Sequence, residues 1–143
     1  MNVGSLLRAN AARFPDRVAL IEQEREVSYD ELNNRVNKLA NKLLALNVRK
    51  GDKVSLYLGS CVAWAEIYFA LSKIGAVVVP VNSRIKGNEL VHIVNNSDST
   101  LLFFDSALKD NVDSVKTDLQ GTKQFVLLGD SPSHSYILYK EVV

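Results

Sequence analysis

Cysteine is almost missing from this chain of 143 residues, which has a single one at position 61. One cysteine cannot form an internal disulfide, and its presence alone suits a reducing compartment. Long apolar runs are missing too: the run from Ala76 to Val81 is far too short to span a bilayer. No basic start leads into an early apolar run, as a secretory signal requires. We therefore expect a cytoplasmic chain with no transmembrane segment.

An excess of charge of either sign is also absent. The chain has 17 basic and 16 acidic residues and a formal net charge of +1. Such a balance gives no global field that would attract nucleic acid or an anionic membrane, so neither is expected as a partner. The content of 47% hydrophobic and 23% charged residues is ordinary for a globular protein, and the length fits one compact domain, residues 1–143.

Closely spaced glycines and paired histidines are the next absences. No two of the seven glycines are near enough for G-x-G-x-x-G or for a Walker loop, so neither phosphate-binding motif is present. His92 and His134 are isolated from each other and from other ligand types, which predicts no metal site. We expect no catalytic, cofactor-binding or metal-binding residue in this stretch.

Alternating helix and strand patterns are what the sequence does contain. Ser28 and Glu31 match a capping box at the start of a helix, and Val27 and Leu32 are placed as its hydrophobic staple. Further predicted helices cover 61–74, 89–96 and the weaker stretch around 108–115, and predicted strands cover 53–58, 76–80, 100–104 and 124–128. This alternation predicts an α/β fold with a doubly wound, mostly parallel sheet flanked by helices.

The junction "LSKIGAVVVPVN" at 71–82 is the most apolar part of the chain. Gly75 stands where a left-handed helix cap is expected, because glycine has no Cβ to clash there. The strand 76–80 shows no polar alternation, which predicts a parallel strand covered on both faces. The tail "YILY" at 136–139 has no evident place among the predicted strands.

Two single residues invite a functional interpretation. Cys61 follows a strand near a helix start, where a thiolate is favoured, but a small apolar role in the core is the preferred interpretation. Asp105 follows a buried strand, as the acceptor of a phosphorelay receiver would, yet no acidic cluster accompanies it; a loop or helix-cap role is preferred.

Charged and aromatic residues elsewhere receive structural interpretations. Glu66 and Lys73 interrupt the apolar helix 61–74 and are expected on one solvated or loop-facing strip. The aromatic residues of that helix are expected in the core, and three spaced lysines are expected on a solvated face. These residues are Trp64, Tyr68 and Phe69, and Lys109, Lys116 and Lys123.

Four segments in order resemble the adenylate-forming (AMP-binding) enzymes. "VSYDEL" at 27–32 is similar to their early S/T-Y-x-E-L motif, and "LSKIGAVVVPVN" to their "lkaGavyvPl" block. "LLRANAARFPDRVAL" at 6–20 resembles the opening of acyl-CoA synthetases, and 51–71 resembles the segment between the motifs. "NSRIKGNEL" at 82–90 resembles the N-x-R-x-x-x-x-E-L continuation found in acyl-CoA synthetases, with Ser83 where many relatives have proline.

The resemblance implies the N-terminal part of the large domain of a long-chain fatty acid–CoA ligase or a related acyl-CoA synthetase. Such an enzyme activates a carboxylate with Mg-ATP to an acyl-adenylate and then transfers the acyl group to CoA. The family's phosphate loop, adenine and ribose contacts and catalytic lysine lie downstream of these motifs. Tyr29, Glu31, Gly75 and Pro80 match scaffold positions, so ATP, Mg and CoA are implied for a longer parent and for no residue of this stretch.

Two hypotheses remain open at the level of sequence. The first is the N-terminal part of an acyl-CoA synthetase, inactive alone, whose partner is the downstream part of its own parent chain. We expect apolar surface in such a stretch, and possible homodimer formation through it. The alternative is a stand-alone flavodoxin-like or receiver-like binding module, which a natural stop codon near Val143 would favour.

Overall fold

A computed structural model describes residues 2–130 and 135–143. His134, one of the two histidines considered above, lies outside these residues. The chain divides into two compact units. The first comprises Met1–Lys50, Ser60–Ala76 and Val142–Val143, and the second comprises Gly51–Gly59 and Val77–Glu141.

The first unit consists of three helices and a hairpin. Helices α1 (Val3–Arg13), α2 (Tyr29–Ala45) and α3 (Val62–Ile74) pack on one another, and strands β1 (Val18–Glu22) and β2 (Arg25–Ser28) pair antiparallel. The buried stripe of α2 repeats at the helical spacing that the sequence shows. Its members are Leu32, Val36, Leu39, Ala40 and Leu43.

Two predicted helix ends of this unit, at Ser28 and Gly75, are confirmed. Ser28 caps α2, because its Oγ accepts a hydrogen bond of 3.1 Å from the Glu31 backbone N–H. Gly75 ends α3 in the left-handed region with φ 78° and ψ 17°, and its N–H donates back to the last helical turn. Both ends follow from local chemistry: an oxygen fills a free donor at one terminus, and glycine avoids the Cβ clash at the other.

The second unit is a parallel sheet with two helices. Its strands are β3 (Lys53–Tyr57), β4 (Val77–Pro80), β5 (Ser99–Asp105), β6 (Gln124–Leu128) and β7 (Ile137–Leu138), in the spatial order β4-β3-β5-β6-β7. Helices α4 (Asn88–Asn96) and α5 (Lys109–Val115) pack on β5. Short 3-10 helices cover Ser106–Leu108, Lys116–Asp118 and Tyr139–Glu141.

The strand order confirms the predicted fold class. Every pair in this sheet is parallel, with registers such as Val54↔Val78 and Leu56↔Phe103. The chain runs from β3 outward to β4 and then returns past β3 to build the other side of the sheet. That reversal of direction is the strand order of a doubly wound α/β sheet.

Two expectations about this sheet were wrong. β4 was expected to be covered on both faces, but it is an edge strand, with Val77 45% exposed and Pro80 exposed. An apolar run therefore does not by itself distinguish an edge strand from a central one. The tail does have a place: Ile137 and Leu138 form β7 beside β6, and Tyr136 and Tyr139 are buried against Phe104 and Phe103.

A series of hydrogen-bonded serine hydroxyls links β3 to the start of β5. The Oγ of Ser99 lies 2.6 Å from that of Ser55 and 2.7 Å from that of Ser97. Ser97 donates its single hydroxyl hydrogen to the Val94 carbonyl oxygen at 3.0 Å. Ser99 must therefore donate to Ser97 and accept from Ser55, because each hydroxyl has only one hydrogen. The O–H groups of all three serines gain an acceptor this way, including those of Ser55 and Ser99, which are buried.

Candidate functional site

The carboxyl ends of the parallel strands are where an open α/β sheet places ligands, beside the strand at which chain direction reverses. Here those ends carry the loops that follow Tyr57 of β3 and Asp105 of β5, which are neighbouring strands. The polar groups along this edge are therefore the first candidates for a reactive or ligand-binding arrangement.

Tyr57 fixes the loop that precedes α4. Its side chain is fully buried, and its hydroxyl donates to the carbonyl oxygen of Ile85 at 2.5 Å. The same hydroxyl accepts from Asn111 Nδ2 at 3.1 Å. Both capacities of the phenol are thus used within the protein, so Tyr57 positions a loop and a helix and offers nothing to a ligand.

Asp105 caps the 3-10 helix that follows β5, which confirms the preferred sequence interpretation. Its Oδ1 accepts from the Ala107 backbone N–H at 2.8 Å. The neighbouring Ser106 lies against Gly129 after β6, where a Cβ would overlap the serine side chain and where φ is +108°. Close approach of the two loops therefore requires glycine at position 129.

A cluster of charged and aromatic groups joins α5 to the tail, and the sequence did not reveal it. The Tyr136 hydroxyl donates to Asp113, which also accepts from Lys109 Nζ at 2.5 Å. The ammonium of Lys116 lies 4.2 Å from the centre of the Tyr136 ring and 5.0 Å from that of Phe125. The expectation that Lys109 and Lys116 are simply solvated is therefore wrong, because cation–π and ion-pair contacts hold them.

Electrostatics at this cluster favour a charged carboxylate and a neutral phenol. The hydrogen bond from Lys109, followed by that from Tyr136, lowers the pKa of Asp113 below its usual value of 3.8. Burial, followed by the hydrogen bond to Asp113, raises the pKa of Tyr136 well above its usual value. A phenol that holds its proton this firmly is a hydrogen-bond donor and a poor general base.

Cys61 lies at the start of α3, in the first unit, and is half-buried where a buried position was expected. The Glu22 carboxylate accepts a hydrogen bond of 2.9 Å from the Val62 N–H at the start of this helix. An adjacent cavity of about 260 Å³ is lined by these residues together with Leu20 and Ile21. No histidine of the described residues lies in this lining.

Glu66 and Lys73 were expected on one solvated strip, which is wrong for Glu66. Its carboxylate is fully buried and forms a two-point ion pair with Arg35, one contact being 3.3 Å from Nη2 to Oε2. Lys73 Nζ donates to Asn33 and Asn37 at 2.7 Å each. Burial, and to a smaller extent the charge of Arg8, lowers the pKa of Lys73. These contacts join α3 to α2 and leave neither group directed at a ligand.

The remaining candidate residues do not lie together in one site either. His92 is exposed on α4. Trp64 stacks on Tyr68, and Tyr68 meets Phe69 edge to face, while all three rings are only half-buried. Across residues 2–130 and 135–143, no group of three or more His, Cys, Asp or Glu side chains could hold a metal ion. Over the same ranges, no helix has both the length and the apolar character needed to cross a membrane.

Comparison with known proteins identifies the family to which the chain belongs. The family model described as AMP-binding enzyme matches residues 7–142. The crotonobetaine/carnitine–CoA ligase of Salmonella typhimurium is 40% identical over 97 residues, which are 64% of this chain and 19% of that protein. The chain therefore spans about a fifth of the length of this curated relative.

Solved structures agree with this match. A crystal structure assigned as a long-chain-fatty-acid CoA ligase from Rhodopseudomonas palustris is 27% identical with a TM-score of 0.93, covering 100% of this chain and 36% of that one. The fatty acyl-CoA synthetase of Mycobacterium tuberculosis is 26% identical with a TM-score of 0.85, covering 88% and 26%. An anthranilate CoA ligase bound to anthranoyl-AMP, 24% identical with a TM-score of 0.94, shares the fold over 99% of this chain and 27% of its own.

Proposed function

We propose, because this chain belongs to the AMP-binding enzyme family, that it is the N-terminal α/β part, residues 1–143, of a carboxylate–CoA ligase. In the proposed reaction a carboxylate oxygen attacks the α-phosphorus of Mg-ATP and pyrophosphate leaves. The CoA sulfur then attacks the acyl carbon, and AMP leaves. The observation that carries this proposal is the family match across 7–142, together with relatives that are named as acid–CoA ligases.

This stretch contributes scaffold to the proposed enzyme. The family-motif residues Tyr29 and Glu31 lie at the start of α2, and Gly75 and Pro80 lie at a helix end and a strand end. At the carboxyl ends of the strands, the hydroxyl of Tyr57 and one carboxylate oxygen of Asp105 are engaged within the protein, which supports a structural role for both residues. We therefore assign the binding of ATP, Mg and CoA to downstream parts of the parent chain. Those parts would also be the first binding partner of residues 1–143.

The acyl substrate is proposed at the level of class. The continuation "NSRIKGNEL" favours a fatty acid or a related carboxylate, and the fatty acyl-CoA ligases among the similar structures support the same choice. The relative that is 40% identical acts, by its name, on crotonobetaine and carnitine. A test panel should therefore include long-chain fatty acids, crotonobetaine and an aromatic acid.

Pyrophosphate release provides the test. The 143-residue chain is incubated with Mg-ATP and each carboxylate, in parallel with a longer protein that includes the downstream coding region. We expect no release above a no-protein control from the chain alone, because it lacks groups that would stabilise the transferring charge. We expect carboxylate-dependent release, and a CoA thioester once CoA is added, from the longer protein.

Two outcomes would contradict the proposal. Pyrophosphate release by the chain alone would contradict its assignment as scaffold. A stop codon near Val143, with no T-S-G-T-T-G-type segment encoded downstream, would contradict the ligase parent and revive the stand-alone binding module. The receiver-like form of that alternative has no support from Asp105, which serves as a helix cap.

Cytoplasmic location and homodimer formation stay predictions. Leu6 is 48% exposed and Ile21 68% exposed, so the first unit carries apolar surface that a second copy could cover. Sedimentation velocity at micromolar concentration measures this directly. A monomer across a tenfold concentration range would contradict the predicted dimer.

A further inference from the structure

The outer edge of β4 is the exposed end of the sheet, since within the described ranges only β3 pairs with this strand. The N–H of Val77 donates to the carbonyl oxygen of Asp52 at 2.7 Å, and that of Val81 donates to the carbonyl oxygen of Leu56 at 2.9 Å. Backbone groups along a strand point alternately to its two sides. The odd-numbered residues of β4 therefore face β3, and the even-numbered residues face outward.

The outward row consists of Val78 and Pro80. Val78 offers both an N–H and a carbonyl oxygen, but Pro80 offers only a carbonyl oxygen because proline has no N–H. The strand is otherwise well suited to pairing: no charged residue occurs from Ile74 to Val81, and Val77 is 45% exposed. An uncharged, β-branched edge of this kind is a template for a further strand.

We propose that Pro80 is a gatekeeper that prevents the outer edge of β4 from pairing with the same edge of a second copy of this chain. In an antiparallel pair centred on Val78, the two copies would exchange two hydrogen bonds there. The next residue pair would bring Pro80 opposite Ala76 of the other copy. The Ala76 N–H already donates to its own Leu71 carbonyl oxygen at 3.0 Å, so only the Ala76 carbonyl is available, and Pro80 cannot donate to it.

An N–H at position 80 would change the number of hydrogen bonds between the two copies. Each copy would then donate one further hydrogen bond to the Ala76 carbonyl, so the pair would hold four hydrogen bonds in place of two. Two added hydrogen bonds raise a dimer association constant by at least about tenfold. A proline that only terminated the strand would act differently, because its replacement would change stability and leave association unaltered.

Sedimentation velocity of Pro80→Val over a tenfold concentration range tests the proposal. We expect a dimer association constant at least about tenfold above that of the unmodified chain, together with slower hydrogen exchange of the Val78 amide. Adding Val77→Lys to the same chain should remove the gain, since a lysine on the edge opposes pairing. Circular dichroism of each variant shows whether it is folded. If Pro80→Val does not fold, Pro80→Ala, which also restores the N–H, tests the proposal in its place.

Association of the folded variant equal to that of the unmodified chain would overturn the proposal. A gain that persists with Val77→Lys would also overturn it, because the new contact would then lie elsewhere. Both results are independent of pyrophosphate release, so they leave the proposed ligase function untouched.

Discussion

Gly4 of α1 lies in close contact with Lys73 of α3, and replacing it by alanine tests that packing. A Cβ at this position would lie 2.6 Å from Cγ of Lys73 and 2.9 Å from both the Cα and the backbone N of the same residue. The Cγ could move with its flexible side chain, but the two backbone atoms belong to helix α3 and cannot. Accommodating the methyl group therefore requires the two helices to separate.

Two effects of opposite sign decide the magnitude. Alanine is better than glycine inside a helix by up to about 1 kcal/mol. Overpacking a close contact costs about 1–3 kcal/mol, and here it acts on backbone. Because Gly4 lies in the first turn of α1, where the propensity gain is smallest, the clash should dominate. We expect Gly4→Ala to lower the free energy of unfolding by about 1–2 kcal/mol.

Urea denaturation followed by tryptophan fluorescence is the assay. The chain has one tryptophan, Trp64, and it lies on α3, so its signal reports the first unit. Gly59→Ala is the matched control, since a Cβ there meets nothing within 4 Å and φ is not positive. Stability of Gly4→Ala equal to or above that of the unmodified chain, with Gly59→Ala unchanged, would refute the inferred close packing.

Two further predictions concern the second unit. Ser99→Ala removes both the acceptor of Ser55 and the donor to Ser97, so it should cost about 2 kcal/mol, against about 1 kcal/mol for Ser55→Ala; equal costs in urea denaturation would contradict the central position of Ser99 among the three hydroxyls. Because the pKa of Asp113 is lowered by folding, its contribution to stability is present above pH 3.8 and is lost as the pH falls below that value. Asp113→Asn should therefore reduce the acid-induced loss of stability measured by circular dichroism, while the exposed Asp110→Asn on the same helix should not; identical acid profiles of the two variants would contradict this.

Local sequence rules predicted the helix ends and the fold class. Ser28 and Gly75 act on backbone groups within a few residues of themselves, so the sequence alone contains the whole interaction. The alternation of helix and strand lengths in the same way predicted a mostly parallel sheet, in which β3 pairs with β4 and β5. What these rules do not contain is the order of strands across the sheet, and so the edge position of β4 was missed.

Groups that interact over long sequence separations were harder to predict. The Tyr136 hydroxyl meets Asp113 across 23 residues, and the Glu22 carboxylate meets the Val62 N–H across 40. Nothing in the spacing of either pair indicates contact. Of this cluster, only the Lys109–Asp113 pair is local, because its two residues are separated by one helical turn.

The burial of Glu66 beside a cation could have been predicted from the sequence. An unpaired carboxylate buried in a helix costs several kcal/mol, so an acidic residue in the middle of an apolar helix implies either an exposed strip or a cation on a neighbouring helix. The residues around Glu66 are apolar on every side of α3, which weakens the first possibility. Arg35 lies beside the buried stripe of α2, one residue before Val36, and is therefore placed to reach a helix packed on that stripe. A buried acid should accordingly have been matched with a cation next to an apolar stripe before it was assigned to solvent.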